Sequence, residues 1–362
     1  MIKQLKQITV NLMAGANVAI VLLMLATGYS DHISPVSHPL LSSFGMTFPF
    51  FLLANLLFLF FWVLFKWRRM WIPVVGYILA YVPISIYIPL NRPGDTEGTT
   101  LKVVSWNVCM YGGMGIYEDG MPVVIDYLKQ QDADIVCLQE DVDSWRHDAF
   151  KKFEKASYLY NDTILFSYSD ISMNGVGIHS RYPILRKERI YYESYANGSA
   201  AFYLKVGSDT LLVINNHLEG THLSEEDRSR YKAMLKGDME RDTVRAESAY
   251  LIDKLGQSAV KRAKQAETVH QYIVSHSQYP VIVCGDFNDN PISYSRRTIA
   301  NGLTDCFVAK GNGLGLSYNQ KGFNFRIDHI MCSDDYEPLR CIVDTEIDCS
   351  DHYPVLCWLK KQ

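Results

Sequence analysis

Five short segments each place acid, amide or imidazole side chains at the end of an apolar run. They are Ser105-Trp106-Asn107, Cys137-Leu138-Gln139-Glu140, Asn215-Asn216-His217-Leu218, Gly285-Asp286-Phe287-Asn288 and Ser350-Asp351-His352-Tyr353-Pro354. A sixth, Arg326-Ile327-Asp328-His329, opens another such run. A strand holds a reactive side chain more firmly than a loop does, so these ends are where chemistry is expected. The inventory is carboxylates, amides and imidazoles, without a serine elbow or a thiol pair. Oxygen donors of this kind suit Mg²⁺ or Mn²⁺ better than a structural zinc. Each fragment alone also has an ordinary explanation. Asn107 can be a turn residue, Glu140 a helix-start carboxylate, His217 a satisfied core imidazole, and Asp286 with Asn288 an Asx turn before Pro291. It is the recurrence of one pattern at five strand ends that the ordinary explanations do not cover.

The elements that must position these residues follow from hydrophobic periodicity. Short β-branched runs, among them Leu101–Trp106, Asp134–Leu138, Thr210–Asn215, Pro280–Cys284, Ile327–Met331 and Pro354–Leu359, read as strands. Val123–Gln131 and a long charged stretch from about Ser224 to Ser275 read as helical. Many strands with fewer helices predict two packed sheets covered outside by helices, a layered α/β domain. Most of the charges of Glu219–Ala259 are expected on a solvated helix face.

In order and context these segments, together with Ser180-Arg181-Tyr182-Pro183-Ile184, resemble the endonuclease/exonuclease/phosphatase superfamily. The resemblance covers about residues 100–360. It implies a DNase I-like four-layer α/β sandwich and a divalent-metal-dependent phosphodiesterase or phosphatase. By position, Glu140 resembles the principal metal ligand, with Asn107 beside it and Asp351 near the metal. Asp286 resembles the residue that orients or deprotonates the attacking water, and Asn288 its partner at the phosphate. His352 resembles the imidazole at the scissile phosphate, held by Asp328. His217 matches a position where some nucleases of the family carry Tyr and phosphatase and sphingomyelinase-like branches carry His. Cys109 stands where several nucleases have Asp, which favours one metal over two.

The first quarter of the chain is different in kind. Ile8–Tyr29, Phe44–Phe65 and Trp71–Leu90 are each near the roughly 20 apolar residues that a membrane span needs. Pro73, Pro83 and Pro89 interrupt the third. Lys3 and Lys6 precede the first span and Lys66, Arg68 and Arg69 separate the second from the third, whereas Ser30–Ser43 has no Lys or Arg. The positive-inside rule then puts the N-terminus in the cytoplasm and the catalytic domain outside it, on an integral protein of the cell inner membrane. Trp62, Trp67 and Trp71 are expected as interface anchors. The resulting division is a membrane region over 1–92, a polar linker over 93–99 and a catalytic domain over 100–362.

Charge and cysteine usage narrow the partners. Residues 1–95 carry six basic and two acidic side chains, and the rest carry 29 basic and 37 acidic, a net −8. Such an acidic domain is poorly suited to long nucleic acid, whose binding rests on Lys and Arg displacing counterions. All eight cysteines follow residue 100 without metal-binding spacing. Cys137, Cys284 and Cys357 read as buried thiols, and a disulfide among Cys332, Cys341 and Cys349 is open. The expectation is a membrane-anchored phosphoesterase acting on a lipid head group or small phosphate ester. A nuclease of the same fold, or a catalytically dead membrane scaffold, are the competing possibilities.

Overall fold

The computed structural model describes residues 2–362 apart from 42, 93, 114–119, 143–150, 152, 155–156, 168–172, 238 and 321–322. Its strands in chain order are β1 (Leu101–Asn107), β2 (Ile135–Gln139), β3 (Tyr160–Ser167), β4 (Met173–Ser180), β5 (Ile184–Ile190), β6 (Gly198–Val206) and β7 (Asp209–His217). There follow β8 (Val281–Asp286), β9 (Thr304–Asp305), β10 (Tyr318–Gln320), β11 (Phe323–Phe325), β12 (Asp328–Cys332), β13 (Tyr336–Val343) and β14 (Val355–Lys361). They build two six-stranded sheets, ordered β13-β14-β1-β2-β4-β3 and β5-β6-β7-β8-β12-β9, and a small β10-β11 ribbon.

The inner faces meet in one apolar core. Val103, Ile135, Cys137 and Ile178 from the first sheet face Phe202, Val213, Ile282 and Ile330 from the second. These positions alternate along their strands with residues that face outward, as the two-residue period of a strand requires. Outward-facing Trp106, Val136 and Leu138 pack under Val124, Ile125 and Leu128 of the helix Gly120–Gln131. Outward-facing Leu212, Ile214 and Val283 pack under Ala266, Val269 and Ile273 of the helix Arg241–Ser275. Helix, sheet, sheet and helix make four layers, a DNase I-like fold. One polar latch crosses the inner core: Gln139 Nε2 donates to Asn215 Oδ1 at 2.6 Å, while Asn215 Nδ2 donates to the carbonyls of Leu138 and Gly177, both at 2.9 Å. Both ends of the Asn215 amide are satisfied in this way, which makes its burial tolerable, whereas Gln139 Oε1 is buried without a partner.

Register brings the chemical residues together. Asn107 stands opposite Gln139 across the parallel pair β1-β2, and His217 opposite Asp286 across the parallel pair β7-β8. Asp286 also faces Asp328 across antiparallel β12. The charged stretch is two helices, Glu225–Lys236 and Arg241–Ser275, with Gly237 at φ 77° closing the first in the left-handed conformation that glycine adopts without strain.

The N-terminal region holds α1 (Ile2–Gly28), α2 (Phe48–Phe65), α3 (Trp71–Leu79) and α4 (Tyr81–Tyr87). Two segments, Lys3–Gly28 and Pro39–Phe65, are long and apolar enough to cross a membrane, and the bent pair α3–α4 makes a third if it counts as one span. The 64° bend has a local cause. Pro83 has no N–H to give to Leu79, and the freed Leu79 carbonyl accepts instead from Tyr29 Oη at 2.7 Å. Trp62 is not an interface anchor: it is fully buried in the helix bundle and donates to Asn17 Oδ1 at 2.9 Å, while Trp67 and Trp71 are exposed. All eight cysteines are free, Cys137, Cys284 and Cys357 buried as expected; the disulfide left open among Cys332, Cys341 and Cys349 does not form, and the Cys332 thiol lies 3.8 Å from that of Cys306.

Candidate functional site

Asp286 is the hub on which the strand-end residues converge. It is buried at the end of β8, where its Oδ1 accepts the Asn288 N–H at 2.8 Å. Its Oδ2 accepts from Asn107 Nδ2 at 3.2 Å and Asn288 Nδ2 at 3.3 Å. The same oxygen lies 3.5 Å from His217 Nε2 and 3.7 Å from His352 Nε2. On the far side of its ring, His352 Nδ1 is 2.9 Å from Asp328 Oδ2. Asp286, Asp328 and His352 thus each bring one atom within 4.8 Å of the other two. Of the oxygens in this group, Asp328 Oδ1 is buried without a hydrogen-bond partner.

Glu140 stands across Asn107 from this hub. Its Oε1 accepts from Asn107 Nδ2 at 3.2 Å and is 4.0 Å from His217 Nε2, and about a quarter of its side chain reaches solvent. Glu140 and Asn288 both adopt left-handed backbone, φ 52° and 51°. Non-glycine residues pay for that conformation, and such strain concentrates at functional sites. The Asn288 amide is pinned by a 3.0 Å bond to the Leu218 carbonyl. Behind the site, Ser350 Oγ donates to the Asn107 carbonyl at 2.7 Å and Trp106 Nε1 to the His352 carbonyl at 2.8 Å, which ties the last strand-end segment to the first.

Electrostatics divide the residues by role. Burial pushes Asp286 up to about 7, with His352 pulling against it and Asp328 adding to it. Burial disfavours charge on His352, but Asp328 and Asp286 outweigh that and raise it to about 10. Burial, reinforced by His352, lowers His217 to about 3, so its ring is neutral at physiological pH. Burial and then the nearby Asp351 carboxylate push Glu140 up. Near neutral pH the arrangement therefore pairs a proton acceptor, Asp286, with a protonated donor, His352, which is what acid–base chemistry requires.

The donor set fits a hard divalent cation on one side. The Asp351 carboxylate disfavours charge on Glu140, a repulsion a cation would relieve. Asn107 fits less simply. Its Oδ1 accepts the Cys109 N–H at 3.0 Å, so its amide nitrogen, not its oxygen, faces Glu140 and Asp286. As oriented, Asn107 holds both carboxylates in place.

Other residues of the site carry no signal in the sequence. Glu219, expected among solvated charges, is fully buried next to Leu218. Its Oε2 accepts from Ser194 Oγ at 2.6 Å and the Tyr195 N–H at 3.1 Å, and its Oε1 meets Lys261 Nζ at 3.0 Å and His222 Nε2 at 2.9 Å. Arg262, also buried, donates to the Glu219 carbonyl at 3.1 Å and to Asp289 Oδ2 at 3.2 Å, clasping the loops that follow β7 and β8.

Residues 104–352 match the model of the Endonuclease/Exonuclease/phosphatase family, and residues 10–87 match that of a domain of unknown function. No curated protein matches the sequence. Among solved structures, the human Nocturnin catalytic domain with bound sulfate is 14% identical with a TM-score of 0.53, over 72% of this chain and 94% of that one. Sphingomyelinase C from Streptomyces griseocarneus is 17% identical with a TM-score of 0.51, over 71% and 98%. A mannosyl-6-phosphatase of Bacteroides thetaiotaomicron is 17% identical with a TM-score of 0.50, over 72% and 99%. At these identities the likeness is one of fold.

Proposed function

This chain belongs to the endonuclease/exonuclease/phosphatase family, and from that premise we propose that it is a membrane-anchored, Mg²⁺- or Mn²⁺-dependent phosphoesterase. It hydrolyses a phosphodiester or phosphomonoester bond of a lipid head group or a small phosphate ester. The observation that carries this reading is the convergence of Asn107, Glu140, His217, Asp286 and His352, from four separate strand ends and the approach to a fifth strand, within hydrogen-bond or near-contact distance of one another. Membrane attachment is supported by the two apolar helices, and an extracytoplasmic site by the placement of basic residues around them.

Within this reading Glu140 and Asp351 would hold the cation, which when bound offsets negative charge building on the phosphate. Asp286, poised near neutrality, orients a water and accepts its proton. His352, kept protonated by Asp328, donates to a phosphoryl oxygen as charge develops there. Neutral His217 adds a donor without adding charge, and the Asn288 amide, bonded to the Leu218 carbonyl and to Asp286, holds that carboxylate in place. The relatives of similar fold named above include a sphingomyelinase and a sugar phosphatase, which is compatible with either ester class. The net −8 of residues 96–362 weighs against a nucleic-acid substrate.

The test is turnover by the purified full chain against lipid, sugar-phosphate, nucleotide and DNA substrates. EDTA should abolish activity and Mg²⁺ or Mn²⁺ should restore it, while Glu140→Gln should raise the metal concentration needed. Full activity in EDTA, or no activity on any phosphoester, would sink the proposal.

A further inference from the structure

We infer that the membrane region is docked onto the catalytic domain so as to set the phosphate site against the bilayer surface, making the substrate a phosphoester carried by a membrane lipid. This rests on the phosphoesterase reading above and narrows its substrate. Three separate stretches of chain connect the site to the membrane helices.

The shortest begins two residues before Asp328. Arg326 is buried at 2% exposure, and its guanidinium donates to the Leu314 carbonyl at 2.8 Å and to the Ile86 carbonyl in α4. A second runs from Asp286 to Ile292, which is buried in one apolar cluster with Met24, Phe48 and Ala80 of the membrane region. There Gly45, on the loop between α1 and α2, comes so close that a Cβ on it would stand 2.1 Å from the Ile292 carbonyl oxygen. The third is the strip from Gly311 to Tyr318. At its start Gly313 N–H donates to the Pro89 carbonyl at 2.8 Å, Asn312 bridges Leu90, and Asn91 Nδ2 donates to the carbonyls of Val308 and Gly311 at 3.0 and 2.8 Å. At its end Ser317 Oγ accepts the N–H groups of Ile327 and Asp328, each at 3.1 Å, and the Tyr318 ring lies 5.0 Å from that of His352.

Six residues of extended chain reach about 20 Å at most, so Asp286 stands within that distance of Ile292, and Tyr318 within it of Asn312. The catalytic cluster is therefore at the membrane-side end of the sandwich. The joint is also buried and polar, with Asp31 of the α1–α2 loop near Arg296 and Arg297. A domain swinging on a free linker has no need of such contacts.

The surface around the joint names the partner. Val36 and Phe44 on the α1–α2 loop, Leu90 after α4 and Leu314 on the strip are 46%, 44%, 81% and 42% exposed. Phe44 directly precedes α2 and Leu90 follows α4 in the chain, and on α1 and α2 themselves Leu12, Leu22, Phe50, Leu57 and Phe60 are likewise exposed. Large apolar side chains contiguous with membrane-spanning helices are covered by lipid. Leu314 then dips toward the bilayer beside the site, and a lipid phosphate reaches Asp286 and His352 without leaving the surface.

The experiment uses the full chain in nanodiscs of phosphatidylethanolamine, phosphatidylglycerol and phosphatidic acid with Mg²⁺. Head-group release from the lipids should exceed turnover of the matching water-soluble glycerophosphoesters at least tenfold at equal bulk concentration. Gly45→Val, which wedges the joint open, should lower lipid turnover at least fivefold and leave the soluble ester unaffected. Ile292→Ala, which loosens the same joint without a clash, should move the ratio in the same direction. A fluorescent amino acid at Leu314 should be quenched by head-group nitroxide lipid, independently of turnover. Absence of quenching overturns the docked placement even in an active enzyme, and equal turnover of soluble and lipid esters overturns the substrate class. Quenching with no hydrolysis of any phosphoester supports the placement and overturns the phosphoesterase reading with its lipid substrate.

Discussion

Asp286 and His352 meet at one centre; burial raises Asp286 to near neutrality while Asp328 and Asp286 outweigh burial and keep His352 protonated, which gives each a separate task in the proposed reaction. Both tasks fall in the transition state, where water loses its proton and the phosphoryl oxygens gain charge, so their loss should register in kcat more than in KM. Asp286→Asn and His352→Ala are each expected to lower kcat by roughly 10²–10⁴-fold, the usual worth of general-base and electrostatic groups. The double variant should fall short of the product of the two losses, since the residues serve one step. Steady-state kinetics on variants shown to be folded by circular dichroism decides this; near wild-type kcat in either single variant removes the assignment.

At the scale of elements, the helix Arg241–Ser275 is more than a cover for the second sheet. Arg262 grips the loops after β7 and β8 together, and Gln265 Oε1 accepts the Glu219 N–H at 2.8 Å. Because Leu218 and Asn288 are bonded to each other, slack in either loop displaces the Asn288 amide and Asp286. Arg262→Gln should lower kcat about 10- to 100-fold, the scale set by small misplacements of reacting groups. Arg262→Lys should not restore it, because one ammonium lacks the fork that spans both partners. A loss confined to thermal stability, with kcat intact, would assign Arg262 a purely structural role. The same clasp predicts a pH effect on stability. Burial alone would raise the Glu219 carboxyl, but bonds from His222, Ser194 and Lys261 outweigh it and hold the group well below its ordinary 4.5. A depressed folded value means stability that is present above pH 4.5 and is lost as acid carries the pH down toward the folded value. Melting curves of wild type and Glu219→Gln should therefore differ most near neutral pH and converge below about pH 4. A gap that widens on acidification contradicts the clasp.

Over the whole molecule, the basic residues at Lys3, Lys6, Lys66, Arg68 and Arg69 against a loop without them argue for a cytoplasmic N-terminus and a site on the opposite side. Alkaline phosphatase fused after Gly98 should be active and green fluorescent protein fused there dark; the reverse pattern inverts the topology. Much of this organisation is local and so was legible in the sequence. Apolar runs of membrane length, strand alternation, and the types of residue at strand ends such as Glu140, Asp286 and His352 depend only on neighbours in the chain. Interactions between distant segments decided the rest. Whether Asn107 offers its oxygen or its nitrogen turns on the Cys109 N–H and on two carboxylates, one of them 179 residues away. Glu219 sits in a run of charges and yet is buried, because Lys261, Ser194 and the Tyr195 backbone gather around it. Trp62 lies beside the basic loop in sequence but turns inward to Asn17 of another helix. Nothing in the local sequence marks Arg326 and Ile292 until the N-terminal helices close over them. Periodicity and composition report what a residue does to its own helix or strand; burial, orientation and docking are set by which segments pack together, and that is written only in the tertiary structure.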